Sequence, residues 1–258
     1  MRREMRTLVT CSFVAVLLGS MTAALPADLP PEEVIHKFAA KEAEFRKARE
    51  SYTYKQSVKM EELDTGGNVQ GKWEIVSDIV FGPNKQRTEK VTYAPLNTLK
   101  NITLTPQDDQ DLRSVQPFVL TSDDISKYDI HYTGKEKVDD IDCYKFTVKP
   151  KILVKGERYF EGDIWVDDRD LQIVKTYGKG VGLLKKNEDN QFPKFETYRE
   201  QIDGKYWFPT YTRANDTLHF KDSSQRIRMV VKYENYKRFG AETSITFGDV
   251  ENETKPKP

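Results

Sequence analysis

The stretch DIVFGPNKQRTEKVTY, residues 78–93, has the pattern of two β-strands joined by a tight turn. Ile79 and Phe81 share one face of the first arm, and residues 82–84 supply the glycine, proline and asparagine of a turn. In the second arm a charged stripe that includes Arg87 gives way to apolar residues on the same face. This pattern predicts either a sheet with one solvent-exposed end, or a sheet face that borders a cavity for an apolar ligand with a polar headgroup.

The same alternation of apolar and polar residues continues through most of the chain, which predicts a mainly β protein. Residues 105–127 interrupt it, because they are rich in Asp, Gln, Ser and Pro and predict one or two short helices or a covering loop. The sequence predicts strands from residue 51 to the turn at 64–68, then over 69–81, 85–93, 97–104, 128–133, 139–150, 157–167, 170–179, 194–202, 205–218 and 225–237.

One long helix precedes these strands. Pro31 and the acidic residues after it are typical of a first helical turn. Val34, Phe38 and Phe45 recur at helical spacing, while lysines and glutamates occupy the other side. We therefore predict an amphipathic helix over residues 31–50 that docks by one face.

The predicted order of elements is one helix followed by about ten to eleven antiparallel strands. No alternation of strands and helices is present, which excludes doubly wound folds. A long antiparallel sheet tends to curl. We therefore expect a large curled antiparallel sheet, an open half-barrel, with the helix and the 105–127 insertion packed on its concave face.

The two ends of the chain differ from this domain in composition. A basic start and an apolar run predict a secretory signal over residues 1–25, cleaved between Ala23 and Asp28, although an uncleaved membrane anchor is the alternative. We expect the folded domain at 28–240, a disordered tail at 241–258, and a periplasmic location.

The composition also limits the partners and cofactors that we expect for this chain. Basic and acidic residues balance at 41 each, which gives no support for a nucleic-acid partner. Three histidines lie far apart and Cys143 is the only cysteine beyond the signal, so we expect no metal site and no cofactor. Any contact with a membrane is expected to be peripheral.

Three segments carry a family resemblance: FGPNKQRTE at 81–89, GDIWVDDRDLQIVKTYG at 162–178, and FETYREQIDGKYWFPTYTRAND at 195–216. Together they resemble the LolA-like family of periplasmic lipoprotein carriers, which shares its fold with the sensor domain of RseB. The resemblance covers roughly residues 30–238. The chain departs from it at APLNTLKNITLTPQDDQD, residues 94–111, where the carriers have an Asp-Gly strand and an aromatic pair.

The resemblance implies an apolar concave face that binds acyl chains. The alternative for each apolar residue is ordinary core packing. Arg87 is expected at the rim, where it would bind a lid carbonyl or a polar headgroup, or else form a surface ion pair with Glu89 or Glu74. The residues expected to line the cavity are Tyr54, Val58, Trp73, Ile75, Ile79, Phe81, Phe146 and Trp165.

The leading hypothesis is an exported, non-enzymatic protein that binds lipid acyl chains or the lipidated end of a lipoprotein, for lipoprotein sorting or transport. One rival is a sensor or scaffold that binds a protein partner at the envelope. A second rival is an envelope hydrolase that uses the acids around Trp165, among them Asp163 and Asp167. Turn chemistry is the simpler interpretation of those acids, and a bend or bulge is the simpler one of the glycines at 178, 180 and 182.

Overall fold

The computed structural model describes residues 29–82, 84–184 and 191–239. The predicted signal (1–25) and tail (241–258) lie outside the described residues. The first element is helix α1, Pro31–Arg49, which has a proline at its first position and basic residues in its last turn. Its apolar stripe is buried against the sheet, as predicted.

Ten antiparallel strands follow and form one sheet. Its spatial order is β3-β2-β1-β10-β9-β8-β7-β6-β5-β4, so β3 and β4 are the two free edges and the sheet stays open. This is the curled half-barrel that the sequence predicted. The strands are β1 Tyr52–Leu63, β2 Val69–Phe81, β3 Arg87–Tyr93, β4 Tyr128–Val138, β5 Ile141–Pro150, β6 Tyr159–Asp167, β7 Ile173–Val181, β8 Phe195–Ile202, β9 Tyr206–His219 and β10 Ser224–Arg238.

The segment between β3 and β4 contains only short helical pieces. Helix α2 spans Pro106–Gln110, a π-helical turn spans Asp111–Val115, and a 3₁₀ turn spans Ile125–Lys127. The fourth strand predicted at 97–104 is wrong. Thr98 makes one backbone hydrogen bond to Lys72 of β2, from its N–H at 2.9 Å, but no strand follows.

Most of the core lies on one face of the sheet, which we call the concave face because α1 covers it. Residues 97–121, here called the cover, add Val115, Phe118 and Leu120 to the same cluster. A smaller cluster on the opposite, convex face contains Cys143, Trp165 and Val174. Helix α1 and the cover therefore lie side by side on the concave face of the sheet.

Candidate binding site on the concave face

Eight of the nine residues predicted to contact a ligand share the concave face, because the register of β1, β2 and β3 aligns their inward positions. Two of them belong to the main core cluster, and three others pack against its margin. Their contact with a ligand remains a prediction. The eight residues are Tyr54, Val58, Trp73, Ile75, Ile79, Phe81, Arg87 and Phe146.

Trp165 is the exception, and its predicted place inside the concave face is wrong. It sits next in sequence to a residue that pairs with the inward Phe146, so its own side chain points to the convex face. There it packs with Cys143. The ammonium groups of Lys145 and Lys175 lie 4.8 and 4.9 Å from its ring centroid, within cation–π range. Trp165 therefore stabilises the back of the sheet.

The acids near Trp165 make local contacts. Asp163 accepts a hydrogen bond from the Thr147 hydroxyl at 2.8 Å and lies 3.6 Å from the Lys145 ammonium. Asp167 accepts the backbone N–H of Arg169 at 2.9 Å, and burial raises the pKa of Asp167. The Asp163 carboxylate thus stabilises side chains on the convex face, and the Asp167 carboxylate stabilises the β6–β7 turn.

Arg87 forms the ion pair that was one of its three predicted roles. Its guanidinium donates to Glu89 at 3.0 Å and to the Gln56 side chain at 2.9 Å. Burial opposes ionisation of Glu89, but hydrogen bonds from Arg87 and Ser77 outweigh it and hold the pKa of Glu89 below its usual value. Arg113 of the cover lies 3.8 Å from the same carboxylate. Arg87 thus reaches the cover through Glu89 and not through a lid carbonyl.

The cover is fixed at its start by a buried carboxylate. Glu62 projects from β1 onto the concave face and is fully buried. It accepts three consecutive backbone N–H groups, from Lys100 at 2.8 Å and from Asn101 and Ile102 at 2.7 Å each. Hydrogen bonds to a charged group contribute about 1.5–3 kcal/mol each. This nest of N–H groups replaces the strand pairing that was expected at 97–104.

A second anchor joins the middle of the cover to the sheet. Arg158 makes a bidentate pair with Asp111, with distances of 2.8 and 2.5 Å, and both side chains are nearly buried. Gly180 of β7 makes this approach possible, because a Cβ there would lie 2.1 Å from the Asp111 carboxylate. The glycines of β7 sit in regular strand pairing with Gly162 and its neighbours. The bend or bulge expected there is therefore wrong for Gly178 and Gly180, which provide space, whereas Gly182 lies beyond the end of β7.

The third anchor joins α1, the cover and β8 at one point. Glu42 of α1 and Arg199 of β8 are buried and pair at 3.0 and 3.2 Å. Arg199 also donates to the carbonyl of Phe118, and Thr197 donates to the carbonyl of Gln116 at 3.0 Å. The end of the cover is thus tied to the helix and the sheet together.

Sequence reasoning missed all three anchors. The one available signal is Glu42, which occupies an apolar position of the helical stripe, four residues after Phe38 and three before Phe45. A charge in such a place demands a buried partner. The identity of that partner, 157 residues away, could not be read from spacing.

Little free space remains beneath the cover. A cavity of about 190 Å³ lies under residues 101–108, and a void of about 20 Å³ adjoins it. Ligand pockets for small molecules commonly measure about 300–1,000 Å³, so the closed cover leaves too little room for a long acyl chain. The apolar residues that line the larger cavity are Met60, Ile102, Leu104, Pro193, Leu218, Phe220 and Ile227.

A larger hollow of about 540 Å³ lies over β8, β9 and β10, but its lining is different. It is lined by charged and polar side chains, including Arg213, Arg228 and Glu196. Arg213 pairs with Glu196, and Arg228 pairs with Glu61 at 2.6 Å. Of these two spaces, the cavity under the cover is the more apolar one.

In the part of the chain that the structure describes, no group of three or more His, Cys, Asp or Glu side chains is arranged to hold a metal ion. None of the helices in the same residues combines the length and the apolar composition needed to cross a membrane.

Comparison with known proteins gives structural matches only. No protein family model matches the chain, and no curated protein matches it. A DUF1329 family protein from Desulfovibrio piger is 18% identical, with 84% of this chain and 96% of that chain covered and a TM-score of 0.41.

Two other solved structures are 13% identical, each with a TM-score of 0.36. One is the LolA superfamily protein NE2245 from Nitrosomonas europaea, with 81% of this chain and 93% of that chain covered. The other is a putative outer membrane lipoprotein-sorting protein domain from Vibrio parahaemolyticus, with 81% and 95% covered. At these TM-scores the function has to be argued from the side chains of this chain itself.

Proposed function

We propose that this chain is an exported, non-enzymatic protein of the cell envelope that binds acyl chains, either of lipids or of a lipoprotein, on its concave face. The observation that carries the proposal is the way the cover is attached. The cover lies over apolar sheet residues, yet its first part is held by two buried polar anchors, Glu62 and the Asp111–Arg158 pair. Such a segment can open without unpacking the main core.

The two parts of the cover differ in how they are held. Helix α2 contributes no buried side chain, and Leu104 and Leu112 are only partly buried against the core. Val115, Phe118 and Leu120 are buried, and Phe118 stacks on Phe160 at 4.6 Å. We therefore assign residues 97–113 as the part that moves and residues 115–121 as the part that stays.

Movement of residues 97–113 would join the small cavity to the half-buried margin of the concave face. Trp73, Ile75 and Leu99 lie at that margin, and Met60 and Ile227 line the cavity. Each CH₂ group transferred from water to such a surface contributes about 0.8 kcal/mol. A single chain of moderate length therefore gains enough to offset the loss of several polar anchor bonds.

The test compares two neighbouring glutamates. Glu62→Gln removes the charge that holds the cover, whereas Glu61→Gln makes the same change on the convex face, where Glu61 pairs with Arg228 and with Lys59 at 2.6 Å. Loss of about 1.4 kcal/mol of anchoring raises the open population about ten-fold. Glu62→Gln should therefore speed binding of an anthroyloxy-labelled stearic acid by about ten-fold or more, and Glu61→Gln should leave it unchanged.

A second comparison tests the surface that is occupied. Ile75→Glu places a charge on the half-buried concave margin, and Lys72→Glu places one on the exposed opposite side of the same strand. We expect weaker probe binding from the first and not from the second, with urea unfolding as the check on folding. If the delipidated protein binds no probe in any form, acyl binding is wrong and the protein-binding sensor or scaffold becomes the leading function.

We also propose that the protein performs no covalent chemistry. Asp163 and Asp167, the best candidates for a hydrolase, are engaged by Thr147, Lys145 and a turn N–H on the convex face. Neither lies under the cover. Replacing both with Ala should leave probe binding intact, and loss of a hydrolytic activity of the purified protein in that variant would contradict the proposal.

A further inference from the structure

The polar hollow of about 540 Å³ has a floor formed by one row of side chains across the sheet. In the strand register Glu196 of β8 lies between Tyr177 of β7 and Arg213 of β9, and Val230 of β10 is the partner of Arg213. Glu196 points to the convex face, because its neighbour Phe195 belongs to the main core cluster and successive side chains of a strand point to opposite faces. Residues opposite each other share a face, so the row lies on the other side of the sheet from the cover.

More polar side chains border this row. Tyr211 lies on one side of it, and Asn215 with its cross-strand partner Arg228 lies on the other. Tyr177 is 44% exposed, and the side chains of Arg213 and Arg228 are 55% and 48% exposed. A molecule in the hollow therefore meets two phenol rings, two guanidinium groups and an amide.

Carboxylates hold both arginines in place. Arg213 donates its Nε–H to Glu196, which also accepts the Tyr198 hydroxyl at 2.8 Å. Arg228 donates its Nε–H to Glu61 at 2.7 Å. A guanidinium has five N–H donors, so neither arginine uses all of its donors on its carboxylate. Groups that are ordered before a ligand arrives lose less entropy when it binds.

Acceptors lie among these donors. The carboxylates of Glu196 and Asp216 line the hollow together with the arginines, and Asn215 offers both a carbonyl oxygen and an amino group. A small anion would meet the carboxylates as well as the arginines, and an apolar chain would cover charged groups that need partners. The lining suits a neutral molecule with many hydroxyl groups, since each hydroxyl both donates and accepts.

We propose that this hollow binds a neutral saccharide. Sugar hydroxyls accept from Arg213 and Arg228 and donate to the carboxylates between them. The C–H face of a sugar ring packs on Tyr177 or Tyr211, because tyrosine combines an apolar ring with a polar tip. The volume lies within the range of small-molecule pockets, about 300–1,000 Å³. The site is on the opposite face from the proposed acyl-binding region and does not depend on it.

Saturation-transfer difference NMR with the chain from Asp28 onward tests the proposal, using two neutral sugars, maltotriose and triacetylchitotriose, at millimolar concentration. We expect transfer of magnetisation to the C–H protons of at least one of them. Tyr177→Ser removes the stacking ring and should weaken binding about five-fold. Arg213→Met removes charged donors and should weaken it about ten-fold or more.

Matched controls carry the same substitutions elsewhere. Tyr93→Ser changes a tyrosine that is 52% exposed at the end of β3, and Arg238→Met changes an exposed arginine at the end of β10. Neither control should alter saccharide binding, and urea unfolding checks the fold of every variant. The saccharide site is wrong if neither trisaccharide binds, if the controls weaken binding equally, or if inorganic phosphate binds in the sugar's place.

The stearic acid probe gives an independent check on the position of the site. Excess trisaccharide should leave the probe bound, because the hollow and the cavity under the cover lie on opposite faces of the sheet. Displacement of the probe would place the sugar under the cover and would overturn the convex site. If the trisaccharide binds and the probe does not, the saccharide site stands and acyl binding is wrong.

Discussion

The buried pair of Glu42 and Arg199 gives a quantitative prediction. Arg199→Met keeps most of the side-chain volume but leaves the Glu42 carboxylate with the Ile173 N–H, at 3.2 Å, as its remaining partner. Removing one member of a buried ion pair costs about 3–5 kcal/mol. We expect a loss of this size at neutral pH, measured by urea unfolding followed by tryptophan fluorescence.

The same variant should show a diagnostic pH dependence. Burial already raises the pKa of Glu42 above 4.5, and Arg199 partly offsets this effect. Without Arg199 the folded-state pKa rises further, so the folded state takes up a proton that the unfolded state releases. Stability is then highest below the unfolded pKa and falls by about 1.4 kcal/mol per pH unit up to the folded pKa.

Between pH 5 and pH 7, two pH units, the deficit of Arg199→Met should therefore grow by up to about 2.7 kcal/mol. Adding Glu42→Leu should abolish this growth and recover much of the stability, because no charge is left buried. Arg213→Met, which breaks an exposed pair with Glu196, is the control and should cost less than about 1 kcal/mol. A deficit of Arg199→Met that is the same at both pH values would refute the reasoning.

Three other predictions follow from packing. Phe45→Ala should cost about 3–5 kcal/mol in urea unfolding, since its ring is fully buried and packs edge-on against another ring at 5.0 Å; a small cost would mean that α1 is a mobile lid. Gly180→Ala should displace the cover, costing about 1–3 kcal/mol, whereas Gly66→Ala in a loop should cost less; equal losses would argue against the anchor. Cys143, whose thiol pKa burial raises to about 12, should react with a thiol reagent only after unfolding; fast labelling of the folded chain would contradict its burial.

Much of the sheet could be predicted from the sequence because local rules govern its parts. Alternation located the strands, and turn residues located their ends. Asp203 and Gly204 both adopt positive φ, 54° and 65°, which is the conformation of the tight hairpin turn that their sequence indicates. The helix was equally local, since its first-turn proline and acids, its last-turn basic residues and its apolar stripe all lie within residues 31–50.

The errors arose where alternation was ambiguous or where a distant group intervened. Ile164, Trp165 and Val166 are consecutive apolar residues, so the period of two does not say which face Trp165 occupies. Only Ile102 and Leu104 alternate with polar neighbours in residues 97–104, and the carboxylate of Glu62 accepts the N–H groups that a strand would pair. The partners of a buried charge are determined by the assembled fold, so no local sequence pattern identifies them.

The pairing of β1 with β10 has a consequence for how the molecule is made. Residues 52–63 of β1 align with residues 226–238 of β10, so β1 cannot complete its strand pairing until β10 has been synthesised. Contacts of such large sequence separation slow folding, and until β10 arrives the strands β1–β3 and β4–β9 have no strand pairing between them. A chain that loses β10 would therefore keep two incomplete sheets with four open edges, which favours aggregation. The sheet is continuous only once β10 has paired with both β1 and β9. A chain that terminates near residue 225 should therefore not fold into a functional protein.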